Sequence, residues 1–206
     1  MIRFRDWQEL PTNFFIAAVI GFALVDGVGG WLLGSESQLR TLEVVRAVEL
    51  LFLLLLARHF RLFESLGISN PPSKKAWGQG VLIAAICLAV VGLGYLARPD
   101  WLAYVGVPVW LTGVEGLLVM TLLAPLVEEL FFRGVAYLML RQLFGVIPAV
   151  VVSAILFSMM HGSVEFPQLA GGFIFAIAYE WTRNLWIPIL LHMGANTAVW
   201  GIVTQL

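Results

Sequence analysis

Apolar residues run along this chain in blocks long enough to cross a bilayer, separated by short polar intervals. A hydrocarbon core about 30 Å thick calls for roughly 20 apolar residues per helix, fewer where a helix sits among neighbours. Seven blocks meet that demand: approximately Phe14–Leu33, Val44–Phe60, Trp77–Ala97, Leu111–Gly134, Ile147–Met160, Phe166–Trp181 and Leu185–Val203. The fourth is open to prolongation to Phe144, and the sixth is short enough to be tilted or incomplete. The pattern predicts an all-α fold, a polytopic transmembrane helical bundle of about seven spans within a range of six to eight. Trp7, Trp31, Trp77, Trp101, Trp110, Trp181 and Trp186 fall near the predicted ends, where an amphipathic ring suits the headgroup layer. The first block follows MIRFRDWQELP, but it is long, contains Asp26 and lacks a small-x-small cleavage site. It reads as a retained first span rather than a signal peptide.

Composition agrees: 60% of the 206 residues are hydrophobic and 12% charged, with a mean hydropathy of +0.91. The 12 Lys+Arg against 13 Asp+Glu, net charge −1, leave no basic surplus for phosphate neutralisation, which excludes nucleic acid as a partner. The single cysteine, Cys87, lies in an apolar run and reads as a small buried hydrophobe. With the amino terminus in the cytoplasm, Arg3, Arg5, Arg58, Arg61, Lys74, Lys75, Arg141 and Arg183 fall inside and Arg40, Arg46 and Arg98 outside, with Arg133 intramembrane. That asymmetry favours a cytoplasmic amino terminus. The interval from Arg58 to Lys75, with Pro71-Pro72, is a cytoplasmic loop, because nothing on either side could fold alone in water. Residues 1–206 thus form one integral-membrane domain, with spans lacking any motif over 1–110 and a candidate catalytic core over 111–206.

Ionisable groups inside spans cost a few kcal/mol each on insertion scales, so they mark function by default. The fourth span reads APLVEELFFRG and places Glu128, Glu129 and Arg133 in an otherwise apolar helix. Glu129 and Arg133 stand at i,i+4 and share a face, while Glu128 points about 100° away. One glutamate pairs with Arg133; Glu128 is left to face a cavity as a general base or acid. Pro125 cannot donate to the carbonyl of Thr121, and the resulting distortion one turn before Glu128 opens room for water. Of the three histidines, His161 and His192 occupy apolar segments and His59 a loop edge beside Arg58 and Arg61, where it is solvated. Phe157 and His161 are i,i+4, as are His192 and Asn196, so each pair presents one helical face. An imidazole and a carboxamide aimed into one cavity offer two donors to a developing oxyanion, or two ligands to a metal. Pro188 loosens the helix near His192. Asp26, between Val25 and Gly27, points to close helix packing or a helix break. Glu49 pairs with Arg46 at i,i+3 near the interface, and Glu115 and Glu180 reach water at span ends.

The order Glu-Glu-x-x-x-Arg, Phe-x-x-x-His, His-x-x-x-Asn on consecutive apolar segments, with Phe131-Phe132-Arg133-Gly134, resembles the CPBP intramembrane proteases. This group contains CAAX prenyl endopeptidases of the Rce type and bacteriocin-processing or immunity proteins. The resemblance implies that Glu128 is the catalytic glutamate, His161 its partner on water, and His192 with Asn196 the remaining polar wall. Glu129 and Arg133 become the supporting pair, with Phe157 beside them. The expected activity is hydrolysis of a peptide bond of a peptide or protein substrate at or in the membrane. A prenylated CAAX tail, a leader peptide and a carboxy-terminal sorting signal all remain open as substrates. The HExxH pattern of common zinc peptidases is absent, yet Glu128, His161 and His192 could supply three zinc ligands with an open position. A metal-free mechanism, with no cofactor required, is preferred, because Glu128 as a ligand leaves no evident second base. The rivals are a peptide-binding or immunity protein of the same fold and an ion-coupled transporter. The expected setting is a prokaryotic cytoplasmic membrane.

Overall fold

The computed structural model describes residues 9–33, 36–97, 107–161 and 166–205. Arg3, Arg5, Trp7, Arg98 and Trp101, used above for orientation and span ends, lie outside the described residues. Among those described there are helices and no strands, which makes this an all-α membrane protein. The helices are α1 (Thr12–Leu32), α2 (Gln38–His59), α3 (Lys74–Ala97), a long α4, α5 (Val146–Met159), α6 (Phe166–Thr182) and α7 (Trp186–Gln205). α4 runs without a break through Val114–Leu118, Val119–Leu123, Ala124–Phe131, Phe132–Tyr137 and Leu138–Phe144; the second and fourth stretches are π-helical turns. The prolongation of the fourth span to Phe144 is therefore realised.

Local chemistry explains the boundaries. Ser37 accepts a hydrogen bond from the Arg40 N–H at the start of α2, and Ser73 does the same for Ala76 at the start of α3. Gly145, at φ 84°, turns the chain between α4 and α5 in a conformation that favours glycine. Pro188 lies in the first turn of α7, where its missing N–H is one of the helix's orphan donors anyway. It therefore does not loosen the helix at His192.

α4 is the centre of the bundle and packs on α1, α2, α5, α6 and α7, while α3 lies outside against α6 and α7. Val127, Tyr137, Ala149, Tyr179 and Leu185 are fully buried around it. Ile20, Leu55, Leu88 and Leu93 are exposed, as a lipid-facing surface requires. Thr12–Leu32, Lys74–Gly94 and Trp186–Thr204 have the length and hydropathy of a full crossing. α2 and α4 carry buried charges, and α6, with 17 residues, rises only about 25 Å, the shortness anticipated for the sixth span.

The interval between α2 and α3 is not a free loop. Its carbonyls at Leu66, Ile68 and Asn70 accept hydrogen bonds from Tyr179 Oη, Trp186 Nε1 and Asn184 Nδ2. Asp26 is exposed on an unbroken α1, so of the two readings of its glycine neighbourhood only close packing is found. A Cβ on Gly29 would come within 2.7 Å of Val45 on α2. Glu180 is not simply solvated: it accepts from Tyr137 Oη at 2.7 Å, from Arg141 at 2.8 and 3.1 Å, and from Arg183 at 2.9 Å. Arg141 and Arg183, assigned to one side of the membrane, thus meet at one end of the bundle.

Candidate active site

α4 divides its two glutamates as helical geometry requires. Glu129 is fully buried and its Oε1 accepts from Arg133 Nη1 at 2.9 Å, the i,i+4 pair expected. Arg133 also donates from Nη2 to the Gly172 carbonyl at 3.1 Å, and its guanidinium lies 4.7 Å from the Phe157 ring centre and 5.3 Å from that of Phe175. Gly172 allows this approach because α6 runs against α5: a Cβ there would stand 2.8 Å from the Ala154 backbone. Glu128 points elsewhere, into a cavity of about 530 Å³ that also bears His161, His192 and Asn196. The four motif positions come together on one cavity although they derive from two helices, α4 and α7, and the turn after α5.

Hydrogen bonding fixes the neutral tautomer of both histidines. His161 Nδ1 lies 2.9 Å from the Phe157 carbonyl, which can only accept, so Nδ1 carries the proton and Nε2 a lone pair. His192 Nδ1 lies 2.9 Å from Glu129 Oε1, with the same consequence. Both Nε2 atoms face Glu128, whose Oε2 is 3.9 Å from that of His161 and 3.8 Å from that of His192. Glu129 therefore serves two residues at once, linking Arg133 to His192. Phe175 stacks on the His192 ring at 4.6 Å and 20°, which holds the imidazole plane.

A water oxygen within hydrogen-bonding distance of all three acceptors fits these separations, and it can donate to two of them. A zinc ion fits less well. Bonds of about 2.0–2.1 Å in a tetrahedron place ligands roughly 3.4 Å apart, whereas Glu128 Oε2 stands 3.8 and 3.9 Å from the two nitrogens. Among the described residues no set of three His, Cys, Asp or Glu side chains is spaced to hold a metal.

On the other side of the cavity Asn196 donates from Nδ2 to the Met120 carbonyl at 2.8 Å. A carbonyl cannot donate, so the amide nitrogen must face it, and the second N–H is left to point elsewhere. Arg46 also lines the cavity. It makes the expected i,i+3 contact with Glu49 at 2.6 Å, but Glu49 is fully buried, so the pair lies inside the bundle and not at its interface. The motif-free first half thus supplies one wall of the site. Phe175 and Arg46 reach the site from other helices, and the Met120 contact is made by backbone, which no residue type marks; only the charge of Arg46 within a span is a signal in the sequence.

Residues 108–198 match the family model described as type II CAAX prenyl endopeptidase Rce1-like. Over that segment the chain is similar to Rce1-like proteins, in agreement with the resemblance drawn from its motifs. The chain is 30% identical over 92 residues to the putative membrane peptidase YdiL of Bacillus subtilis (strain 168), a match covering 44% of this chain and 37% of that protein. It is 36% identical over 84 residues to the membrane-embedded CAAX protease MroQ of Staphylococcus aureus (strain USA300), covering 37% of this chain and 34% of the relative. The matches span little more than a third of the length of these curated relatives. No solved structure matches.

Proposed function

We propose that the protein is an intramembrane peptidase in which Glu128 activates water. The observation that carries this reading is the convergence of Glu128 Oε2 with the two imidazole Nε2 atoms at 3.8 and 3.9 Å inside one cavity. Water donates a proton to Glu128 while a second hydrogen bond to His161 Nε2 orients it, and its oxygen adds to the scissile carbonyl carbon. The carbonyl oxygen becomes an oxyanion. Asn196 offers it the N–H that Met120 does not use, and His192 offers Nε2–H by taking up the proton that Glu128 received from the water. The tetrahedral intermediate then expels the amine, which takes that proton. Exclusion of bulk water by the bundle strengthens each of these contacts. The substrate is a peptide or protein segment at the membrane; a prenylated tail is one candidate, as the relative named a CAAX protease suggests.

The test is cleavage of a membrane-associated peptide by the purified protein, followed by mass spectrometry. Asn196→Ala should lower kcat by about 10²–10³ with little change in peptide affinity, because the donor acts mainly in the transition state. A peptide-binding or immunity protein would bind in every variant and cleave in none. A transporter would show ion-coupled flux and no hydrolysis.

Metal dependence has its own outcome. With Glu128 acting on unbound water, activity should survive thorough chelation, and the purified protein should contain much less than one zinc per chain. Stoichiometric zinc, with activity lost on its removal and restored by its return, would make Glu128, His161 and His192 ligands instead.

A further inference from the structure

We infer that Pro125 is a positioning residue for the oxyanion donor Asn196, acting by leaving the Met120 carbonyl without a backbone partner. The inference rests on the peptidase reading above, and it begins with the register of α4. Over Val119–Leu123 the helix widens into a π turn, and the Ala124 N–H reaches back five residues to the Val119 carbonyl. In that register the next amide, at position 125, is the donor due to Met120. Proline has none. The carbonyl left without it is therefore that of Met120, one residue before the Thr121 carbonyl that an unbroken α-helix would orphan.

Asn196 takes the vacancy, donating from Nδ2 to Met120 at 2.8 Å across the gap between α7 and α4. The bond has two consequences. It fixes which end of the carboxamide is nitrogen, and it pins the amide plane so that the remaining N–H has one direction. Met120, Glu128 and Asn196 all line the same cavity, so that direction is set within the site. Burying an unpartnered carbonyl is unfavourable, and the strength of that demand is what holds the side chain. Pro125 is one turn from Glu128 on the same helix, so the residue that interrupts the ladder also sits where base and oxyanion donor must be held in register.

Pro125→Ala tests this, because it restores an N–H to compete with Asn196 for Met120 and removes a helix breaker. The melting temperature should stay the same or rise. The value of kcat should nevertheless fall by about 10–100-fold, the usual effect of a misplaced catalytic group, with KM unchanged. In an Asn196→Ala background the same substitution should cost less than about twofold more, since there is no donor left to misplace. A purely structural role for the proline would lower stability and act equally in both backgrounds. In parallel, selective ¹⁵N labelling of asparagine gives a readout that needs no turnover: the Asn196 side-chain amide resonance, identified by its loss in Asn196→Ala, should shift in Pro125→Ala. Wild-type kcat in Pro125→Ala, an undiminished loss in the Asn196→Ala background, or an unmoved resonance would each overturn the proposal. A shifted resonance in a protein that cleaves nothing would uphold the positioning and sink the peptidase reading alone. Pro125→Gly supplies the same amide and serves if the alanine variant cannot be purified.

Discussion

Glu128→Gln is expected to reduce peptide cleavage at least about 10³-fold while leaving folding and peptide binding close to those of the unaltered protein. The magnitude follows from the role assigned: a general base contributes about 10²–10⁴-fold, and glutamine cannot accept a proton at this position. The sparing of the fold follows from geometry. Glu128 Oε2 stands 3.8 and 3.9 Å from the two imidazole Nε2 atoms, too far for direct hydrogen bonds, so the substitution breaks neither contact. Glutamine is nearly isosteric and can donate to either Nε2, which keeps the cavity satisfied. Mass spectrometry of products and a peptide-capture assay on the same purified samples read both halves of the expectation. Equal cleavage by the two proteins would remove Glu128 from the chemistry. Loss of binding together with cleavage would make it a substrate contact instead.

Much of this site is legible in the sequence, for a definite reason. Glu129 with Arg133, Phe157 with His161 and His192 with Asn196 are each four residues apart, so local helical periodicity already places the members of each pair side by side. Their charge in an apolar run then marks them without knowledge of the tertiary fold. What the sequence does not carry is the pairing between helices. That His192 leans on Glu129, that Arg46 of α2 faces the cavity, and that Glu180 gathers Tyr137, Arg141 and Arg183 are products of packing between segments 39 or more residues apart in most instances. The π turns are a further case. Hydrophobic periodicity hardly distinguishes five residues of π-helix from α-helix, and Pro125 announces a distortion without saying which carbonyl it frees. The helical character of the first half was readable from its apolar blocks; its share in the site was not, because α1 and α2 bear no motif.

Glu129→Ala is expected to be the most destabilising single change in the site, at about 3–5 kcal/mol. It leaves the guanidinium of Arg133, 1% exposed, with the Gly172 carbonyl and three aromatic faces but without the carboxylate that bonds it directly. It also strips the acceptor from His192 Nδ1, 2.9 Å away, so the imidazole loses the bond that fixes its tautomer. Two functions are therefore removed at once, and a companion variant separates them. Replacing the pair together, as Glu129→Leu with Arg133→Met, takes both charges out of the interior; such exchanges are often neutral or stabilising, so the melting temperature should recover most of the way. Activity should not recover, because His192 still lacks the acceptor at Nδ1 that fixes its tautomer and ring orientation. Thermal unfolding in detergent and peptide turnover on the same three proteins decide the matter. Activity that returned in step with stability would reduce Glu129 to a counter-ion for Arg133, whereas a stable but inactive double variant would show the carboxylate acting through His192.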